Sequence, residues 1–287
     1  TIAWDDVQKN WYALPNHTDD YTDWLHWTGQ GQNWNGMCAE CHVTNFKKGY
    51  DHKTNSFETT WYEIDVACEA CHGPGSEHVA WAETPEMGRR NTDNYNLVVK
   101  TRDISSKELI GICARCHSRR ASLNDFSHDH ENIMDYMIPS LLNRDLYYSD
   151  GQISDEVYVY GSFMQSKMFL RDVKCSDCHD VHSQELKQKG NTLCLSCHRA
   201  DTYDTASHHF HKKIHEDKES KGDDCIQCHM PESVYMGIDK RADHSIRIPR
   251  PDLSAAYQTP NACNAAGCHN DKSLEWTNQN MTPMVWH

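Results

Sequence analysis

The chain has 287 residues, of which 38% are hydrophobic, and its mean hydropathy of −0.82 argues against an ordinary aliphatic core. Its formal charge of −14 at pH 7 argues against nucleic acid as a partner, because nucleic-acid-binding domains present basic surfaces. A transmembrane helix needs about 18 consecutive apolar residues, and no apolar run in the sequence approaches this length. The sequence therefore predicts no membrane span.

Local signals along the chain are mainly helical. Residues 59–72 are predicted to form a helix. Ser105 with Glu108 makes the S-x-x-E capping box that opens a second helix, which is predicted to carry residues 113–117 and to end near Arg119 and Arg120. Residues 155–161 alternate enough to predict a short strand. The fold class that we expect is mainly α, with extensive irregular loops and little β structure.

Fourteen cysteines fall into seven pairs, and a histidine directly follows the second member of every pair. Two thiols at this spacing can add across the two vinyl groups of one porphyrin, and the adjoining imidazole can bind the iron. Structural disulfides and Cys-rich zinc sites are the alternatives, and neither requires a histidine after every second cysteine. The pattern therefore predicts seven covalently bound haem c groups. The regular C-x-x-C-H motifs, numbered one to six in chain order, are Cys38/Cys41/His42, Cys68/Cys71/His72, Cys113/Cys116/His117, Cys175/Cys178/His179, Cys194/Cys197/His198 and Cys225/Cys228/His229.

The seventh motif, Cys263/Cys268/His269, has the longer spacing C-x-x-x-x-C-H, and we expect its two extra residues to loop out. Seven porphyrins in a chain of this length would supply much of the buried apolar surface and would lie near one another. We therefore expect one multihaem cytochrome c domain over residues 1–287, organised around stacked haems. Within it we expect lobes at 1–120 with three haems and 170–287 with four, joined by 121–169.

The sixth ligand of each iron decides whether a haem only transfers electrons or also binds a small molecule. Histidine is the ligand type expected here, and 13 of the 20 histidines lie outside the motifs. The cluster at residues 208–211 can present ligands on different sides of one helical turn. The candidate distal ligands are His26, His78, His128, His182, His209, His211 and His244. The histidines that we expect to remain on the surface are His17, His52, His130 and His287.

Longer stretches around the motifs carry more specific information than the motifs themselves. They include HWTG at 26–29, EIDVACEACHGPGS at 63–76, CARCHSRR at 113–120, DGQ at 150–152, HHFH at 208–211 and DHSIRIPRPDL at 243–253. In these stretches the chain resembles a family of exported multihaem c-type cytochromes that are often fused to tetratricopeptide repeats and are related to the cytochrome c554 and hydroxylamine oxidoreductase group. Compared with that family, the chain lacks an additional N-terminal C-x-x-C-H segment and a helical repeat region. We therefore expect either a piece of a longer protein or a branch without an eighth haem.

Two functions are consistent with these features. The first is an electron conduit of closely spaced, mostly bis-His haems, whose partners are other redox proteins or copies of the same chain in an oligomer or filament. The second is an oxidoreductase of the hydroxylamine-oxidising or nitrite-reducing type with one five-coordinate catalytic haem. The sequence favours the conduit, because it contains no C-x-x-C-K motif. A third alternative is a haem subunit of a larger complex. Covalent haem attachment places the chain in the periplasm or outside the cell.

Overall fold

The computed structural model describes residues 2–14, 18–128, 132–215, 217–265 and 267–285, so His17, His130 and His287 lie outside the described residues. The chain divides into two compact units, Thr1–Pro139 and Ser140–His287. The first unit contains motifs one to three and the second contains motifs four to seven. Helix accounts for 34% and strand for 16%, which agrees with the predicted excess of helix over strand. None of the helices in the described part of the chain is long and apolar enough to cross a membrane.

The first unit combines short helices with two-stranded antiparallel ladders. Its helices are α1 (Ala39–His42), α2 (Cys68–His72), α3 (Ser76–Glu83) and α4 (Ser106–His117), with a π-helical segment at Trp34–Cys38 and 3-10 turns at Gln30–Gln32, Glu86–Gly88 and Ile133–Asp135. Its strands are β1 (Ile2–Asp5), β2 (Asn10–Ala13), β3 (Val43–Thr44), β4 (Tyr50–Asp51), β5 (Ser56–Phe57), β6 (Glu63–Ile64), β7 (Arg120–Ser122) and β8 (Met137–Pro139). They pair as β1–β2, β3–β6, β4–β5 and β7–β8.

Helix α4 forms as the capping box predicts. The Glu108 backbone N–H donates to Ser105 Oγ at 3.3 Å, and the Ser105 backbone N–H donates to Glu108 Oε2 at 2.7 Å. Leu109, Ile110 and Ala114 are buried on one side of the helix. This buried face fixes α4 in the unit and leaves its last turn to carry the third motif.

The second unit has the same character, with many short elements and long connections. Its helices are α5 (Tyr160–Phe163), α6 (Cys175–Cys178), α7 (Asn191–Leu195), α8 (Ala200–Tyr203), α9 (Ala206–His209), α10 (Cys225–His229), α11 (Pro251–Tyr257), α12 (Ala262–Ala265) and α13 (Leu274–Val285), with a 3-10 turn at Phe169–Arg171. Its strands are β9 (His179–Asp180), β10 (Glu185–Leu186), β11 (Ile214–His215), β12 (Lys218–Glu219), β13 (Glu232–Tyr235) and β14 (Asp239–Ala242), and they form the hairpins β9–β10, β11–β12 and β13–β14.

A buried polar network in the second unit ties the start of the seventh motif to the loop at 150–152. Gln152 Nε2 donates to Asp150 Oδ2 and to the Pro260 carbonyl, both at 2.8 Å. Thr259 Oγ1 donates to the same Asp150 oxygen at 3.0 Å, and an Arg247 guanidinium N–H donates to the Asp150 carbonyl at 2.9 Å. The network therefore joins the short DGQ stretch to residues more than a hundred positions away in sequence.

Two predicted elements are wrong. In the stretch 59–72 only α2 is helical, because residues 63–64 pair with Val43–Thr44 and Asp65 has a positive φ of 87°. The stretch 155–161 is not a strand, because Tyr158 has a φ of 60° and α5 begins two residues later. The strand content is also larger than predicted, since two-stranded ladders recur through both units.

Candidate haem-binding sites

Each regular motif lies on or beside a short helix. In a helix, residues three and four apart share a face, so one turn places both thiols and the following histidine on the same side. Helices α2 and α10 contain their entire motifs, and α4 ends at the histidine of the third motif. The helical turn is thus the local structure that presents one C-x-x-C-H motif to one porphyrin.

In the seventh motif a backbone hydrogen bond also joins the histidine to the first cysteine, although more residues lie between them. The His269 N–H donates to the Cys263 carbonyl at 3.2 Å, six residues back. In the regular fifth motif the corresponding bond joins the His198 N–H to the Cys194 carbonyl at 2.9 Å, four residues back. Gly267 has a φ of 74°, a conformation that favours glycine and turns the chain before the second cysteine. This geometry supports the predicted loop of two extra residues.

Motifs four, five and six of the second unit lie side by side. Burial raises the pKa of the Cys178 thiol, and the nearby thiols of Cys194 and Cys197 raise it further. The thiols of Cys194 and Cys225 are neighbours, and their interaction lowers the pKa of Cys194 to about 7 and raises that of Cys225. Asn191 holds these two motifs together, because its Nδ2 donates to a backbone carbonyl on the approach to α10 and its Oδ1 accepts the Cys225 N–H at 3.0 Å.

The sixth and seventh motifs are also adjacent. Burial raises the pKa of the Cys228 thiol to about 11, and the neighbouring thiols of Cys263 and Cys268 contribute to that rise. A cavity of about 150 Å³ is lined by Cys228 of the sixth motif, by Arg247 and by Ala262 beside the seventh motif. The attachment sites in this unit therefore follow one another in the order four, five, six, seven.

Motifs one and three meet in the first unit. The Cys41 thiol donates to the Cys116 carbonyl at 3.9 Å, and the interaction with the Cys116 side chain is the main cause that lowers the pKa of Cys41 to about 6 and raises that of Cys116. The guanidinium of Arg120 lies 3.1 Å from Glu40 Oε2 and 3.6 Å from Cys41 Sγ. This ion pair joins α1 to β7, the strand that follows α4.

Motifs two and three are joined by Arg115. This residue lies between the two cysteines of the third motif, and its guanidinium donates to the Ala70 carbonyl inside the second motif. The guanidinium also stacks over the ring of Phe126. Burial lowers the pKa of Arg115, while the nearby thiols, including that of Cys71, oppose this effect. The three motifs of the first unit are therefore in mutual proximity.

Three motif histidines face a histidine from outside the motifs. Imidazole nitrogens bind transition metals at about 2 Å, so two rings that share a metal from opposite sides lie about 6 Å apart between centres. The three pairs, with their centroid distances and interplanar angles, are His179 and His244 at 6.3 Å and 22°, His229 and His208 at 6.1 Å and 10°, and His269 and His211 at 5.9 Å and 45°. Each separation fits a single iron between the two rings.

The hydrogen bonds of several of these rings fix which nitrogen carries the proton. Nδ1 of His244 lies 2.8 Å from the Ala242 carbonyl, and Nδ1 of His229 lies 2.9 Å from the Arg247 carbonyl. A carbonyl only accepts, so the proton resides on Nδ1 and Nε2 keeps its lone pair for a metal. Burial lowers the pKa of His179, with a smaller contribution from His244, which favours the neutral ligating form.

Within the cluster at 208–211 the structure differentiates neighbouring histidines. Helix α9 ends at His209, and Phe210 adopts the left-handed conformation, so the chain turns between His209 and His211. The His211 N–H donates to His209 Nδ1 at 3.2 Å, which places the His209 proton on Nε2. His208, rather than the candidate His209, therefore faces the sixth motif. The sequence did not single out His208, because the two adjacent histidines are distinguished only by the turn that follows His209, and the sequence does not predict that turn.

The remaining candidates occupy varied surroundings. His78 Nδ1 lies 2.7 Å from the Tyr95 carbonyl, as expected for a ring that presents Nε2. His128 lies against the end of the second motif, since a Cβ atom at Gly73 would be 3.4 Å from its Cγ. His26 lies beside Thr28 and Trp27, and His182 lies in an exposed turn between β9 and β10. His52, expected at the surface, is exposed.

Large apolar side chains are exposed beside the motifs. Their exposure tests whether the surroundings of the motifs fit a porphyrin, which would need apolar contacts. Trp34 is 38% exposed, Met37 is 48% exposed just before Cys38, and Ile226 is 39% exposed between the cysteines of the sixth motif. A large, flat, apolar group bonded to those cysteines would cover such side chains. The residues present therefore fit covalently attached haem.

Comparison with known families agrees with this geometry. Residues 8–73 match the family described as cytochrome c554 and c-prime, and residues 169–202 match the doubled CXXCH motif. The chain is a multihaem c-type cytochrome. No curated protein matches this cytochrome. The fusion to tetratricopeptide repeats that the resemblance suggests stays an expectation.

Two solved structures are similar to this cytochrome. The crystal structure of the outer cell wall cytochrome OcwA is 19% identical with a TM-score of 0.60, covering 98% of this chain and 68% of OcwA. An undecahaem cytochrome from the S-layer of Carboxydothermus ferrireducens is 17% identical with a TM-score of 0.45, and the match covers 98% of this chain and 50% of that protein. The likeness to OcwA shows that the two proteins share a fold.

Proposed function

We propose that this cytochrome is a heptahaem electron conduit that works between redox partners in the periplasm or outside the cell. The observation that carries the proposal is the closeness of successive attachment sites, because Asn191 bridges motifs five and six and the thiols of motifs six and seven are neighbours. Covalently bound haem supplies one-electron redox chemistry at iron. The polypeptide's part is to hold the attachment sites within each unit close together.

Bis-His ligation is the second part of the proposal. The three histidine pairs support it for motifs four, six and seven, since each pair has the spacing that one shared iron requires. An iron held by two imidazoles has no open position for a substrate. For the other motifs we propose distal ligands from the candidate histidines of the same unit, with His78 and His128 as the leading ones.

The proposed location and partners rest on the chemistry and on the structural relative. OcwA is described as an outer cell wall cytochrome. Thioether attachment of haem occurs in exported proteins, and the acidic charge of −14 suits soluble contact with basic redox partners. Partners of this cytochrome would then be other redox proteins or further copies of the same chain.

Protein-film voltammetry of the holoprotein tests the conduit directly. We expect a reversible signal of seven electrons per chain and no catalytic current when nitrite or hydroxylamine is added. The matched control is a variant with an opened sixth position, His208→Ala, recorded under the same conditions. A catalytic current with the unaltered protein would contradict the conduit and support the oxidoreductase instead.

A further inference from the structure

Gly222 lies three residues before the sixth motif, yet it contacts the proposed ligand of the seventh. A Cβ atom at this position would lie 2.5 Å from Cδ2, 2.7 Å from Cγ and 2.9 Å from Cβ of His211. Distances below about 3 Å between carbon atoms are strongly repulsive, since the optimum is about 3.5–4.0 Å. The side chain of His211 therefore packs against the Gly222 backbone at a position that leaves no room for a side chain.

Rotating the His211 side chain cannot relieve such a clash. The Cβ atom of His211 does not move with its χ angles, and it is itself one of the three close atoms. The backbone of His211 is also held, because its N–H donates to His209 Nδ1 at 3.2 Å. A side chain at 222 would therefore have to displace the backbone of one of the two segments.

His209 also restrains the ring of His211. His211 Nδ1 donates to the carbonyl of His209, so the ring proton is on Nδ1 and Nε2 keeps its lone pair. The ring centre lies 5.9 Å from that of His269. Gly222 thus limits the space beside the ring, and the hydrogen bond to the His209 carbonyl limits its rotation.

We propose that Gly222 and His209 are positioning residues that set the place and tilt of His211 as the distal ligand of the seventh haem. The inference rests on the proposed bis-His ligation of that haem. Gly222 provides the space, and the His209 backbone and ring fix the rotation. Because Gly222 precedes Cys225, this contact also couples the segment entering the sixth motif to the ligand of the seventh.

The test is Gly222→Ala in the holoprotein, measured by EPR of the oxidised state. We expect one low-spin signal to shift or to be replaced by a high-spin signal, with the other haems unchanged. Gly88→Ala is the matched control, because a Cβ atom there would approach no closer than 3.6 Å, to Thr84. A Gly222→Ala spectrum identical to that of the parent would overturn the inference.

A double variant keeps the test decisive if Gly222→Ala loses haem or unfolds. His211→Gly removes all three close atoms, so adding Gly222→Ala to it should change neither the spectrum nor the Tm further. Equal damage from Gly222→Ala with and without His211 would overturn the inference. If His211→Gly itself left the EPR spectrum unchanged, the ligand assignment in the proposed function would fail, and this inference with it.

Discussion

His208 and His209 are adjacent in sequence, but their rings can offer different atoms to a metal. His209 Nδ1 accepts a backbone N–H, so its Nε2 carries a proton and has no lone pair to donate. The ring of His208 lies almost parallel to that of His229, at 10° and 6.1 Å. Burial lowers the pKa of His208, with His229 contributing next, which keeps its imidazole neutral. Hydrogen bonds that sequence patterns do not reveal therefore decide which ring nitrogen each of these histidines can offer to a metal.

Substituting the two histidines in turn tests this distinction. His208→Ala should convert one haem of the holoprotein from low-spin to high-spin, because the iron of the sixth motif loses a ligand. His209→Ala should leave that haem low-spin, while it loosens the neighbouring His211. Optical and EPR spectra of the two variants decide the matter, and a high-spin sixth haem in His209→Ala alone would reverse the assignment.

Short elements in this protein form where local signals suffice or where distant segments meet. Helix α4 could be predicted because Ser105 and Glu108 cap it without help from other segments. The helix expected at 59–72 fails because residues 63–64 instead pair with Val43–Thr44, a contact that sequence periodicity cannot anticipate. The motifs and their attachment chemistry were readable from spacing alone, whereas the order in which motifs touch depends on tertiary packing.

The polar network before the seventh motif gives a prediction at the level of elements. Gln152→Ala removes the hydrogen bonds to Asp150 Oδ2 and to the Pro260 carbonyl, and two such bonds together contribute about 1–3 kcal/mol. We expect a lower free energy of unfolding by this amount in chemical denaturation of the holoprotein. Gln188→Ala, at an exposed site, should change it by less than about 0.5 kcal/mol. Equal stability of the two variants would show that the network does not anchor this segment.

The whole molecule has few buried apolar residues for its length and many exposed ones beside its motifs. Its described core is split between the two units, and the cluster of Leu146, Tyr147 and Val157 is small. Porphyrin faces would complete both cores, so stability and haem content should be linked. This linkage also explains how a chain with a mean hydropathy of −0.82 can fold.

Haem content can be counted by mass spectrometry of the intact holoprotein. We expect the mass of the 33.2 kDa polypeptide plus seven haems. The double variant Cys263→Ala and Cys268→Ala should retain six, because the stretched motif then loses both thioether bonds. If the parent chain carried six haems and the double variant also carried six, the seventh motif would not be an attachment site.

We propose that closely spaced and mostly bis-His haems make this cytochrome a conduit. Quantitative EPR of the oxidised holoprotein, with and without nitrite or hydroxylamine, tests this proposal. We expect low-spin irons for motifs four, six and seven and no signal that responds to either addition. A high-spin iron that binds nitrite or hydroxylamine and turns it over would contradict the conduit and identify a catalytic haem.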